Sequence, residues 1–182
     1  MAVDLDGTDG HIPTGLNKFI INNTDLTVGC WFITSEDARN QAILNWEDDD
    51  GSTTTNFLID LRSTNSGEVR CFVRDDDADY VLVESGTSQA NGVPHAALFT
   101  WDVSTKTAEL FVDGISEGTN TNTDVDAVIS NSDAELVIGR RPNRTTTGVD
   151  AQFFDGIITE VFVSYTKYTA TQIANFSNSR II

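Results

Sequence analysis

EVRCFVR, residues 68–74, alternates apolar and polar positions with a period of two. Val69, Cys71 and Val73 point one way, and Arg70, Phe72 and Arg74 point the other. A helix would gather its apolar residues at spacings of three and four; strict alternation marks a strand with one face on a core. The five residues that follow, Asp75–Asp79 (DDDAD), form a turn-rich break, and YVLVE (80–84) resumes the apolar pattern. Two short strands around a polar tip read as a β-hairpin.

The same grammar extends along the chain in both directions. Short apolar segments recur at AVDLDG (2–7), FII (19–21), LTVGCWFI (26–33), AILNW (42–46) and FLIDL (57–61). They continue at HAALFTWDV (95–103), AELFVDG (108–114), AELVIG (134–139) and QFFDGIITEVFVSY (152–165). VSTK (103–106) separates two of these, and Asp113-Gly114 is a dipeptide suited to positive φ. Longer polar stretches, 47–55, 86–92, 119–133 and 140–150, read as loops, the usual place for binding in an all-β domain. Only the C-terminus reads as helix. Thr169 with Gln172 three residues later fits a capping box, and Tyr168 and Ile173 occupy the staple positions around it. The predicted fold is all-β, a two-sheet antiparallel jelly-roll sandwich with one short C-terminal helix, and a single domain over 1–182.

Composition narrows the partners. The chain has 182 residues with 28 acidic and 11 basic side chains, a formal charge of −17. Nucleic-acid affinity comes from Lys and Arg releasing counterions, so this balance argues against nucleic acid, and equally against an anionic membrane surface. No apolar run approaches the about 20 residues of a membrane span, and no signal peptide is visible at the N-terminus. An Asp-rich, Lys-poor surface suits salty water, where repulsion is screened over a few Å. Cys30 and Cys71 fall mid-strand and read as buried thiols, with one disulfide as the alternative; two histidines and no C-x-x-C argue against a zinc site.

The ordered set of segments resembles the concanavalin A-like, laminin-G-like jelly-roll family. Leu26–Ile33 resembles its FTISAWV strand, Ala97–Gly114 its VAVTYD…LYVDG hairpin, Leu136–Arg140 its L-x-I-G strand, and Phe154–Tyr165 its F-x-G-x-I-D-E-V-R-I-Y strand. VDLDGTDGHI is similar to its first strand. Two departures stand out: Pro94-His95 replaces the family's Trp-His, and Thr159 replaces the aspartate of I-D-E-V, with Glu160 kept. The resemblance implies a jelly roll and, in many members, a structural calcium held by acids near the first and last strands. Here Asp6, Asp9 and Glu160 are the candidates; the alternative is that they face water. Calcium needs about six to eight oxygens. No cofactor is required by the rest of the sequence.

The search for chemistry finds no enzyme. Jelly-roll glucanases carry E-x-D-x-x-E or E-x-D-x-E on one strand, which sets two carboxyls about 5–5.5 Å apart; around Glu160 the sequence is ITEVFV. There is no G-x-S-x-G and no phosphate loop, and His11 and His95 read as structural. Trp46 followed by Asp48, Asp49 and Asp50 is the candidate ligand site, an aromatic platform beside acids that would grip sugar hydroxyls. Trp101 and Tyr80 are further stacking candidates, with Trp31 and Trp101 better placed for the core. Asp75–Asp77 is a second acidic group, for calcium or for water. Arg140, Arg141 and Arg144 form the one basic patch and the candidate subunit contact, set against local balance by Asp150 and Asp155.

Two functions follow. The first is a non-catalytic structural or adhesive protein on a virion surface, expected for a phage as capsid decoration, tail or fibre, since the module starts near Met1 and fills the chain. Its partners would be other virion proteins, further copies of itself, or a glycan or host surface polymer. The second is an extracellular carbohydrate-binding lectin module, with calcium where the implied site is used.

Overall fold

The computed structural model describes residues 2–17, 20–47, 56–62, 67–75, 77, 79–130, 135–141 and 152–179. At 17, 20–22, 47, 56–62, 128–130 and 135 only the backbone is described. The elements in chain order are β1 (Ala2–Asp6), β2 (Ile12–Asn17), β3 (Ile20–Asn22), β4 (Leu26–Ile33), β5 (Gln41–Glu47), β6 (Asn56–Arg62), β7 (Glu68–Arg74), β8 (Tyr80–Ser88), β9 (His95–Asp102), β10 (Thr107–Val112), β11 (Ile115–Thr121), β12 (Val128–Ser130), β13 (Glu135–Ile138), β14 (Arg140–Arg141), β15 (Gln152–Phe153), β16 (Asp155–Ser164) and α1 (Ala170–Asn178).

Two six-stranded antiparallel sheets carry the fold. One runs β1-β16-β4-β9-β10-β11 and the other β2-β13-β5-β6-β7-β8, with small two-stranded pairs β12-β3 and β14-β15 beside them. Val69, Cys71 and Val73 of β7 meet Val28, Cys30 and Phe32 of β4 within one core cluster, so the alternation read from EVRCFVR does point one face inward. Both cysteines are buried thiols that form no disulfide, and burial pushes the Cys30 thiol up to about 12, which keeps it neutral. The turns fall where the residues place them: 103–106 joins β9 to β10, and Asp113 and Gly114 take φ of 52° and 82° between β10 and β11.

β4 is buried on both faces, and the C-terminal helix explains its outer one. Trp31, Ala96, Leu98 and Ile173 form a second cluster, with Phe111, Phe162, Tyr168 and Phe176 packed against it. Gly29 leaves the space for this: a Cβ there would lie 2.5 Å from the Phe162 ring. Thr169 caps α1 by accepting the Gln172 N–H, and Gln172 returns the bond to the Thr169 N–H, closing the capping box. A nine-residue helix is marginal alone, so the aromatic contacts under it are what hold it. Among the described residues no helix is long and apolar enough to cross a membrane.

Four strands escaped the sequence reading: β2, β11, β12 and the two-residue β14. β11 is an edge strand, mostly exposed on both faces, so nothing selects for alternation along it. It faces β8, the edge of the other sheet, and the two edges are tied by side chains. Asn120 donates to the Leu82 carbonyl at 2.9 Å, Asn122 donates to the Tyr80 carbonyl at 3.1 Å, and Glu117 accepts the Gly86 N–H at 3.3 Å. The amides satisfy carbonyls that would otherwise be open for another strand to pair with. Replacing Asn120 and Asn122 together by alanine should lower stability by about 1–2 kcal/mol. It should also produce concentration-dependent association, read by light scattering; a double variant that stays monodisperse at high concentration would refute the guard role.

Candidate functional site

The structure sorts the three aromatics proposed for sugar stacking. Trp46 and Trp101 are both fully buried in the core cluster, so neither indole presents a face to solvent. For Trp46 the expectation fails for a definite reason. β5 carries a register shift between Ala42 and Leu44, after which Leu44 and Trp46 point inward and Asn45 outward. Tyr80 is the one of the three left open, at 52% exposure. Asp48, Asp49 and Asp50 lie outside the described residues.

Tyr80 stands on the outer face of the β2–β8 sheet. Its ring lies 5.3 Å from that of Phe72, tilted by 34°. Arg74 is its cross-strand partner on β7. The buried Nε of Arg74 has no hydrogen-bond partner. Further along the same face, Asn45 is fully buried, and both its Nδ2 and its Oδ1 lack a partner. Buried amides are almost always hydrogen-bonded, and leaving one unsatisfied costs about 1–3 kcal/mol. An exposed phenol ring on an aromatic base, with a guanidinium on the neighbouring strand, has the parts a polyol ligand uses: an apolar face for C–H groups and donors for hydroxyls. Asn45 lies apart from it, three strands away on β5. Phe72, Arg74 and Asn45 were not singled out in the sequence. The signal was present only for Phe72 and Arg74, as apolar and basic residues on the solvent side of EVRCFVR.

Next to Tyr80 the hairpin tip gathers acids. Asp75 is not solvated but fully buried. Its Oδ1 accepts the Asp79 N–H at 2.9 Å and its Oδ2 accepts the Asp126 N–H at 2.9 Å, so one carboxylate pins the β7–β8 tip to the loop after β11. Burial, then the charges of Asp75, Asp124, Asp77 and Asp126, push the Asp79 carboxyl above its ordinary value. Asp102 behaves oppositely: hydrogen bonds from Ser104 and Thr105 and the Lys167 ammonium at 3.3 Å hold it well below the usual carboxylate range.

The three candidate calcium ligands do not come together. Asp6 pairs with Asp155 at one end of the β1–β16 ladder, and Ala2 pairs with Thr159, beside Glu160, at the other. Five residues of strand separate the two ends by about 16 Å. Glu160 sits at a register shift in β16 with φ of 53°. Asp6 Oδ1 accepts the N–H groups of Thr8 and Asp9 at 2.9 and 3.4 Å, which holds its carboxyl below the ordinary value. Asp155, its neighbour, already has a cation: Arg39 Nη2 lies 3.1 Å from Asp155 Oδ2. Among the described residues no group of three or more His, Cys, Asp or Glu gathers as metal ligands. The residues present therefore do not fit the calcium that the family resemblance implies.

The histidines and the basic residues take the following places. His95 Nδ1 lies 2.7 Å from Asp113 Oδ2 and its Nε2 lies 3.0 Å from Asn91 Oδ1, tying the start of β9 to the β10–β11 turn. His11 Nδ1 lies 3.0 Å from the Asp9 carbonyl. Arg140 and Arg141 form β14 and pair with β15, with the Arg140 guanidinium carbon 6.0 Å from the Phe153 ring centroid. Arg144, the third residue of the expected subunit contact, lies outside the described residues.

Two packed antiparallel sheets with an open aromatic face define a lectin-like jelly roll. The chain belongs to the concanavalin A-like lectin/glucanase superfamily, whose family model matches residues 6–174. Among solved structures it is similar to the carbohydrate-binding module (CBM40) of the Ruminococcus gnavus IT-sialidase bound to α2,3-sialyllactose. That match has a TM-score of 0.74 and 14% identity, over 97% of this chain and 96% of that one. It is also similar to the native heptameric SAP-like pentraxin from Limulus polyphemus, at a TM-score of 0.72 and 14% identity, over 97% of this chain and 81% of that one. A third similarity, at 0.72 and 14% identity, is to the leech intramolecular trans-sialidase, where 100% of this chain covers 27% of the enzyme. At such identities the likeness is one of fold. No curated protein matches.

Proposed function

We propose that the chain is a non-catalytic carbohydrate-binding module that holds a glycan on the outer face of the β7–β8 ribbon. The observation that carries this is the exposed Tyr80 ring, packed beside Phe72 with Arg74 as its cross-strand neighbour. Sugar C–H groups would pack on the phenol face while the guanidinium donates to ring substituents. The sialyllactose-bound sialidase module of the same fold supports a glycan as the ligand class. Of the two settings expected from the sequence, the extracellular lectin draws support from these neighbours; the virion-surface protein has no observation in its favour.

A glycan array probed with the intact chain tests the reading. Binding to a defined glycan set is expected, and Tyr80→Ala should weaken it by about tenfold or more, the equivalent of about 1.4 kcal/mol. Because Tyr80 is exposed, the variant should melt within about 1 °C of the parent. An empty array, or a Tyr80→Ala variant that binds as the parent does, removes the proposal.

A further inference from the structure

The mismatch with calcium has a positive counterpart at the junction of the first and last strands. Three protein oxygens converge there on the guanidinium of Arg39, from the segment between β4 and β5. Nη1 donates to the Gly7 carbonyl at 2.7 Å, Nη2 donates to Asp155 Oδ2 at 3.1 Å, and Nε lies 3.8 Å from Glu36 Oε2. The seat is shaped for it. Gly7 has φ of 71°, and a Cβ at that position would fall 1.9 Å from Arg39 Nη2. The surrounding backbone is held independently. The Gly7 N–H donates to the Phe154 carbonyl at 3.0 Å, and the Asp155 N–H donates to the buried Gln41 Oε1 at 2.8 Å. Glu36 is fixed by its own turn, its Oε1 accepting the Ala38 N–H at 2.7 Å.

We propose that Arg39 is the resident cation of this strand junction, so that the fold is closed by a guanidinium and is independent of calcium. A carbonyl and two carboxylates face one point, and a cation there relieves their mutual repulsion; with Arg39 42% and Asp155 45% exposed, solvent screens part of that attraction. Calcium would want about six to eight oxygens at about 2.3–2.6 Å. Here three oxygens meet a planar fork of N–H donors, the geometry that suits arginine and not a spherical ion. Arg39 also bridges three separate stretches of chain: the β1–β2 turn, its own loop, and the start of β16. Lysine keeps the charge but loses the fork.

Thermal unfolding of the whole chain tests this, in EDTA and in CaCl2, each against NaCl of matched ionic strength so that general screening of the acidic surface is subtracted. The parent should melt at the same temperature in EDTA and in matched NaCl, within about 1 °C. Arg39→Met keeps the apolar stem and removes the cation; it should melt about 2–4 °C lower, from the loss of one part-buried hydrogen bond to the Gly7 carbonyl and one solvent-screened ion pair. Calcium should restore part of that loss in Arg39→Met and add less to the parent, because only the variant leaves the two carboxylates without a partner. Arg39→Lys should fall between the two. A parent destabilised by EDTA overturns the proposal, as does an Arg39→Met variant that melts with the parent. A variant that is destabilised but gains no more from calcium than the parent also overturns it, since Arg39 would then be a hydrogen-bond donor whose charge is immaterial.

Discussion

Trp46→Ala is expected to lower the unfolding free energy by about 3–5 kcal/mol, the range for truncating a large aromatic in a packed core. The indole is fully buried and stands between Leu136 of β13 and Phe57 of β6 in the ladder. Its removal leaves a void in the centre of the sandwich, where the facing sheet cannot close over it without moving both layers. For a chain of this length the loss corresponds to a fall of roughly 6–20 °C in melting temperature. Urea unfolding checks it. The midpoint should drop while the slope stays constant, because the area exposed on unfolding hardly changes. Glycan binding by the fraction that remains folded should be that of the parent. A variant that keeps its stability but loses binding would return Trp46 to the ligand site and overturn the assignment of Tyr80.

Asp75→Ala is the second large effect, at about 3 kcal/mol. Two backbone N–H groups, those of Asp79 and Asp126, lose their only described acceptor, and hydrogen bonds to a charged group are worth about 1.5–3 kcal/mol each. Asp75→Asn keeps one carbonyl acceptor and should lose roughly half as much. The substitution has a second consequence with opposite sign. Asp79 is pushed above its ordinary value by burial and by Asp75 among other acids, so the folded chain binds that proton more tightly than the unfolded chain does. Ionisation of Asp79 therefore weakens the fold at pH above its folded titration, and the penalty disappears as pH falls below the unfolded value near 3.8. Asp75→Ala removes one of the repelling charges. NMR titration of the Asp79 carboxyl should show its midpoint move down, while chemical denaturation shows the net loss at neutral pH.

Much of the fold is legible because strands with one buried face write their period into the chain. β4 and β7 match their segments to the residue, β9 and β10 nearly so, and the capping box at Thr169 marks the helix start. β11 was not legible, since an exposed edge places no demand on side-chain alternation. The β16 stretch read as one strand is two elements, β15 and β16, parted at the buried Phe154. The proposed binding face was barely legible. Tyr80 was one aromatic among three, and its neighbours Phe72 and Arg74 carry no spacing that distinguishes a ligand surface from an ordinary solvated one.

The metal expectation shows why sequence proximity to a family pattern does not settle a site. Asp6 and Glu160 belong to the first and last long strands, which do pair. Antiparallel pairing, however, puts Asp6 beside Asp155 and sends Glu160 to the far end. β1 and β16 are about 150 residues apart with no hairpin turn between them, so no local turn geometry announces their register. Amino-acid order by itself determined the all-β class, the positions of the principal strands and hairpin turns, the capped helix and the acidic net charge. The tertiary structure alone decided which aromatics are core and which is exposed, which acids meet, and that Arg39 reaches the junction of the first and last strands. Each of those depends on a side chain's distance from residues far away in the chain, and that distance exists only once both sheets have closed around a common core.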